Sequence, residues 1–103
     1  MDTDDFSEMA WSVIVQAAWI SDTLKSEIGA LSTNYKNEDD WLRGIQVHLQ
    51  EILEDPTEYL DYWNLEKEEG ISVLQISDLV SGLYRHVDEV LSTPLIKRGN
   101  SRL

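Results

Sequence analysis

Residues 40–56 read DWLRGIQVHLQEILEDP, and the helical period of this stretch decides the fold. Trp41, Leu42, Ile45, Leu49, Ile52 and Leu53 recur at the three-and-four spacing that places them on one side of an α-helix. Asn37 stands ahead of the acids Glu38, Asp39 and Asp40 as an N-cap, and Pro56 ends the run because it has no N–H to donate. A second stretch from Asp78, DLVSGLYRHVDEVLSTP, repeats the pattern in register. Asp40, Gly44, His48, Glu51, Leu53 and Pro56 match Asp78, Gly82, His86, Glu89, Leu91 and Pro94. Amphipathicity alone does not demand identical glycine, histidine and proline positions, so the two helices read as structural equivalents.

Outward from this pair, the chain supplies the remaining helices. Phe6, Met9, Ala10, Val13, Ala17, Ile20, Leu24, Ile28, Leu31 and Tyr35 form one stripe, which predicts a first helix opening among the aspartates of DTDDF and running to about Ser32. Asp55-Pro56-Thr57-Glu58 serves as a restart, giving a short third helix from Pro56 to about Lys67. Residues 70–77 read as loop or early helix, and the fourth helix is expected at 78–91, capped by Ser77 and burying Leu79, Val80, Leu83, Val87, Val90 and Leu91. The expected fold is all-α: a small four-helix bundle built from two helical hairpins with pseudo-twofold character. Residues 1–94 form its single domain and 95–103 a flexible basic tail.

Composition narrows the function classes. The 103 residues, 42% hydrophobic, suit one core, and four Trp and four Tyr argue against disorder despite a net charge of −12. There is no cysteine, which excludes disulfides, thiolate metal sites and a cysteine nucleophile. The acidic start and the absence of a long apolar run predict a cytoplasmic protein with no membrane contact. Twelve of the twenty acids fall in residues 1–8 and 51–69, which disfavours direct nucleic-acid binding and suits a basic protein partner.

Three sets of residues are candidates for function. On a helix from Pro56, the aromatic residues Tyr59, Tyr62 and Trp63 share one side while Glu58 and Asp61 point away, a surface for a basic partner. Trp11, Val15, Ala18 and Trp19 make the first helix apolar on a second side, which predicts a homodimer interface. His48, Glu51, His86 and Glu89 form paired His-x-x-Glu flanks, a set whose chemistry suits a metal if the two helices bring them together. The flanks lack the further carboxylates of a bundle metal site, so imidazoles satisfied locally at the core boundary are favoured, with no cofactor. No Gly-x-Ser-x-Gly, P-loop or dinucleotide fingerprint is present, and Ser81 and Ser92 near His86 occupy generic positions. The functional expectation is a small acidic interaction protein of adaptor, inhibitor or immunity type with no catalytic activity; the alternative is a metal-binding helical-bundle protein or enzyme.

Overall fold

The computed structural model describes residues 6–63, the side chain of Trp63 excepted, and residues 72–99. Among these the chain is all-α, with five helices and no strand: α1 Glu8–Ile20, α2 Asp22–Leu31, α3 Glu38–Glu54, α4 Pro56–Trp63 and α5 Val73–Ser92. Short 3₁₀ turns follow α2 at Ser32–Asn34 and α5 at Leu95–Lys97. The central contact is α3 against α5. Helix α1 lies on α5, α2 on α3, and α4 on both α5 and α3.

The expected long first helix is two helices. Ser21 adopts an extended conformation, ends α1, and turns its hydroxyl oxygen to accept from the backbone N–H groups of Thr23 and Leu24. A serine followed by aspartate supplies both the cap and the favourable charge for a new N-terminus. The apolar stripe conceals this break because Ile20 and Leu24, one on each side of it, are both buried. The remaining stripe positions from Phe6 to Ile28 lie in the core, with Met9, Leu31 and Tyr35 against it. Helix α1 is capped by Ser7, whose Oγ accepts from the Ala10 N–H; the aspartates expected to do this lie outside the described residues.

Helix α3 has the expected cap, the Asn37 side chain accepting from the Asp40 N–H at 2.9 Å, and the expected buried face. Pro56 opens α4, with Asp55 Oδ1 accepting from the Glu58 N–H at 3.4 Å. The predicted continuation to Lys67 lies outside the described residues. Helix α5 begins five residues earlier than expected, with Ser72 rather than Ser77 as its cap. Ser72 and Gln75 form a reciprocal capping box: Ser72 Oγ accepts from the Gln75 N–H, and Gln75 Oε1 accepts from the Ser72 N–H. Leu79, expected in the core, is exposed, while Ile76 one turn before Val80 is buried in its place.

Residues 95–99, expected to be part of a loose tail, are bound to the helices. The Arg98 side chain is buried and donates from Nη1 to Glu38 Oε2 at 2.9 Å and to Asp39 Oδ1 at 2.5 Å, and from Nε to the Thr93 carbonyl at 2.9 Å. Glu38 is also buried, and its carboxylate accepts from the Ser7 N–H at 2.8 Å and the Ser7 hydroxyl at 2.9 Å. Gly99, at a φ of 85° that favours glycine, lets the chain turn so that its carbonyl receives the Glu8 N–H. Beside this cluster the Phe6 ring stacks on Trp41 at 4.4 Å, and the Trp41 indole donates to the Ile28 carbonyl at 2.9 Å. Burial alone would lower the pKa of Arg98, but the hydrogen bonds and charges of Glu38 and Asp39 outweigh it and raise the pKa, so the guanidinium stays charged.

Removing one partner of such a buried pair leaves the other charge without compensation. Arg98→Ala is therefore expected to lower the unfolding free energy by about 3–5 kcal/mol in urea melts. A change below about 0.5 kcal/mol would show that the pair is a surface-type bridge.

Candidate functional site

The two His-x-x-Glu flanks do not form one site. His48 on α3 sets Nε2 2.7 Å from Glu27 Oε2 on α2, and its ring meets Tyr59 edge-on at a centroid distance of 6.2 Å. His86 on α5 sets Nε2 2.7 Å from Ser12 Oγ on α1, while its Nδ1 lies 3.9 Å from an exposed Glu89 carboxylate. Glu51 is exposed. Each imidazole is thus engaged by a different outer helix, and among the described residues no group of three or more His, Asp or Glu side chains could hold a metal ion. The repeat instead marks a shared docking role, in which α3 uses its histidine to hold α2 and α5 uses the matching one to hold α1.

The matching glycines part company. The Tyr35 ring lies against Gly44 closer than any real Cβ would permit, whereas a Cβ on Gly82 would meet open space. Close approach at Gly44 is therefore to an aromatic ring from the α2–α3 link, not to a neighbouring helix. Gly82 sits in a helix interior, where glycine costs about 1 kcal/mol relative to alanine. Gly82→Ala should raise stability by up to about 1 kcal/mol, and Gly44→Ala should lower it by about 1–3 kcal/mol because Tyr35 must be displaced. Paired denaturation curves check this, and equal effects at the two positions would contradict it.

Ser12, His86 and Glu89 have the residue types of a nucleophile, base and orienting acid, a grouping that sequence spacing could not disclose because Ser12 and His86 are 74 positions apart. The geometry does not serve that chemistry. The Ser12 Oγ is shared between the Met9 carbonyl at 2.5 Å and His86 Nε2 at 2.7 Å. Ser12 also lies inside α1, where backbone N–H groups are spent on the helix, and no pair of them faces a developing oxyanion. This hydrogen bond holds α1 on α5.

The proposed basic-partner surface is smaller than expected. Glu58 and Asp61 are exposed on α4, and Tyr62 is 69% exposed. Tyr59 is instead turned inward against the core, beside Leu60 and His48, and the side chain of Trp63 lies outside the described residues. Burial, then the charges of Glu51, Glu27, Glu58 and Asp55, raise the Tyr59 pKa above the ordinary 10.0. The folded protein therefore keeps this proton where the unfolded chain has lost it. Its stabilising effect is complete below pH 10 and is lost as pH rises through the folded-state value. Subtracting the phenolate absorbance titration of Tyr59→Phe from that of the parent should isolate one tyrosine with a midpoint above 10; a midpoint at or below 10 would place Tyr59 in open solvent.

The α1 surface is the most developed feature. Trp19 is 84% exposed, Val15 55% and Trp11 39%, and Ala18 is half-buried beside them. Three clefts adjoin their outward ridge, the first of about 400 Å³ and lined by both indoles with Ile14, Val15, Ala18 and Lys25. A second, of about 730 Å³, runs towards α5 past Glu8, Ser12, Gln16 and His86. The third, of about 590 Å³, lies beside Trp11 over α2 and is lined by Ile14, Asp22, Lys25, Ser26, Gly29 and Ala30. Phe6 supports the ridge from beneath, its ring edge-on to Trp11 at 5.5 Å. Comparison with family models, curated proteins and solved structures finds no match for this chain. No helix among the described residues is long and apolar enough to cross a membrane.

Proposed function

We propose that this chain is a small acidic protein–protein interaction module of adaptor, inhibitor or immunity type, without catalytic activity. The observation that carries the reading is the ridge of Trp11, Val15 and Trp19 standing on the outer side of α1 while the inner side of the same helix fills the core. Indoles on a rigid helix, about two turns apart with Val15 between them, lose little conformational freedom on binding and bury a large area, which is the chemistry of an interface anchor. Glu58, Asp61 and Tyr62 on α4 add an exposed acidic surface suited to steering a basic partner. Both histidines engage the segment predicted as the first helix, His48 through Glu27 and His86 through Ser12, so α1 and α2 together brace the central α3–α5 pair.

The metal-binding alternative loses its support, because each imidazole is hydrogen-bonded to a different helix and Glu51 and Glu89 face solvent. A photo-crosslinking residue placed in turn at positions 19, 62 and 43 tests the interaction reading in cells, with the exposed Arg43 on α3 as the control. Adducts are expected at 19 and 62 and not at 43, with those at 62 suppressed by added salt during capture. Equal labelling at all three positions would contradict the reading.

A further inference from the structure

We propose that the α1 ridge is covered by a second copy of this chain, through an antiparallel twofold pairing of α1 with α1 that has Val15 at its axis. This rests on the reading of α1 as an interaction surface and names its occupant. Charge is the first argument. Residues 9–21 contain no charged side chain, in a chain whose net charge is −12. Two copies of so acidic a chain repel one another over most of their surfaces and can approach only where carboxylates are missing. A basic partner has the opposite preference, being drawn to carboxylates, and between Glu8 and Asp22 this helix offers none; at the two ends of the pairing Glu8 of one copy faces Asp22 of the other, so added salt should tighten the dimer.

Symmetry is the second argument. A twofold interface must be complementary to itself, so that when residue i meets residue j, j also meets i. Trp11, Val15 and Trp19 are spaced four residues either side of the central valine. Reversing the helix about Val15 therefore places Trp11 of one copy opposite Trp19 of the other, and the ridge maps onto itself. The third argument is shape. The cleft beside Trp11 over α2 is floored by Gly29 and Ala30, and nothing lies within 4 Å of where a Cβ on Gly29 would stand. In this register Trp19 of the second copy is directed to the Trp11 end of the ridge, where that cleft opens between Trp11 and the Asp22 and Lys25 side chains.

The exposed parts of the two indoles and the valine amount to roughly 300–400 Å² per copy at typical side-chain areas. Doubled, this is roughly 600–800 Å², short of the ~1,200 Å² of a stable interface before the cleft walls are added. An interface of this size belongs with weak, reversible contacts.

Sedimentation equilibrium over a dilution series tests it. The parent should pass from dimer at roughly 100 μM to monomer near 1 μM. Trp19→Asp should weaken the dimer by about 30-fold or more while leaving helical circular dichroism and the melting temperature unchanged, since this side chain is 84% exposed. The chain has no cysteine, so Val15→Cys provides a second and independent variant. A short bismaleimide should link its two copies across the axis, and the same reagent on Arg43→Cys should give no more than collisional product. A parent that stays monomeric at the highest concentration, a dimer indifferent to Trp19→Asp, or equal linking at 15 and 43 would overturn the proposal. A monomer that still forms adducts with another protein from position 19 removes the second copy as occupant and leaves the interaction surface standing; a monomer with no adduct at 19 removes both.

Discussion

The buried carboxylate of Glu38 is the constraint around which the rest of this small protein is arranged. A charge this far from water persists only with a counter-charge and hydrogen-bond donors in place. Arg98 supplies the first, and the backbone and hydroxyl of Ser7 supply the rest. Those three residues come from the start of α1, the first turn of α3 and the segment after α5. Satisfying one carboxylate therefore fixes where three separate pieces of chain must be. The adjacent Phe6–Trp41 stack and the Trp41–Ile28 hydrogen bond extend the same arrangement into the apolar core and to the end of α2.

Much of the helical framework was legible in the amino-acid order, because it depends on local chemistry. The Asn37 cap, the α3 stripe and the Pro56 restart each involve groups within one turn of one another. The Ser21 break was hidden by a stripe that stays in phase across it, and the start of α5 by a choice between two serines. Ser72 has a glutamine three residues on and Ser77 does not, which is the signal that separates them. What sequence could not disclose is the long-range pairing. Arg98 with Glu38, Ser12 with His86, Glu27 with His48 and Tyr35 with Gly44 have no shared local pattern.

The candidate site divides along the same line. Exposure of Trp11, Val15 and Trp19 follows from having apolar residues on two sides of one helix when only one side can face the core. Whether two histidines at matching positions converge depends instead on how α3 and α5 are turned about their axes. They are turned so that each imidazole faces the outer helix next to it, and the repeat serves assembly of the fold rather than a shared ligand site.

The Arg98–Glu38 bridge also has the sequence separation of a contact that closes late. Its partners are 60 residues apart, so the guanidinium leaves the ribosome only after all five helices have been made. Until then Glu38 has no counter-charge to offset the loss of its water, and the helices can associate through apolar contact and the His48–Glu27 and His86–Ser12 hydrogen bonds. Closing the longest loops last is the entropically economical sequence of events. Contacts formed after the rate-limiting step add little to the speed of folding and slow the return journey. A clasp closed after that step lengthens the lifetime of the native state more than it hastens its formation.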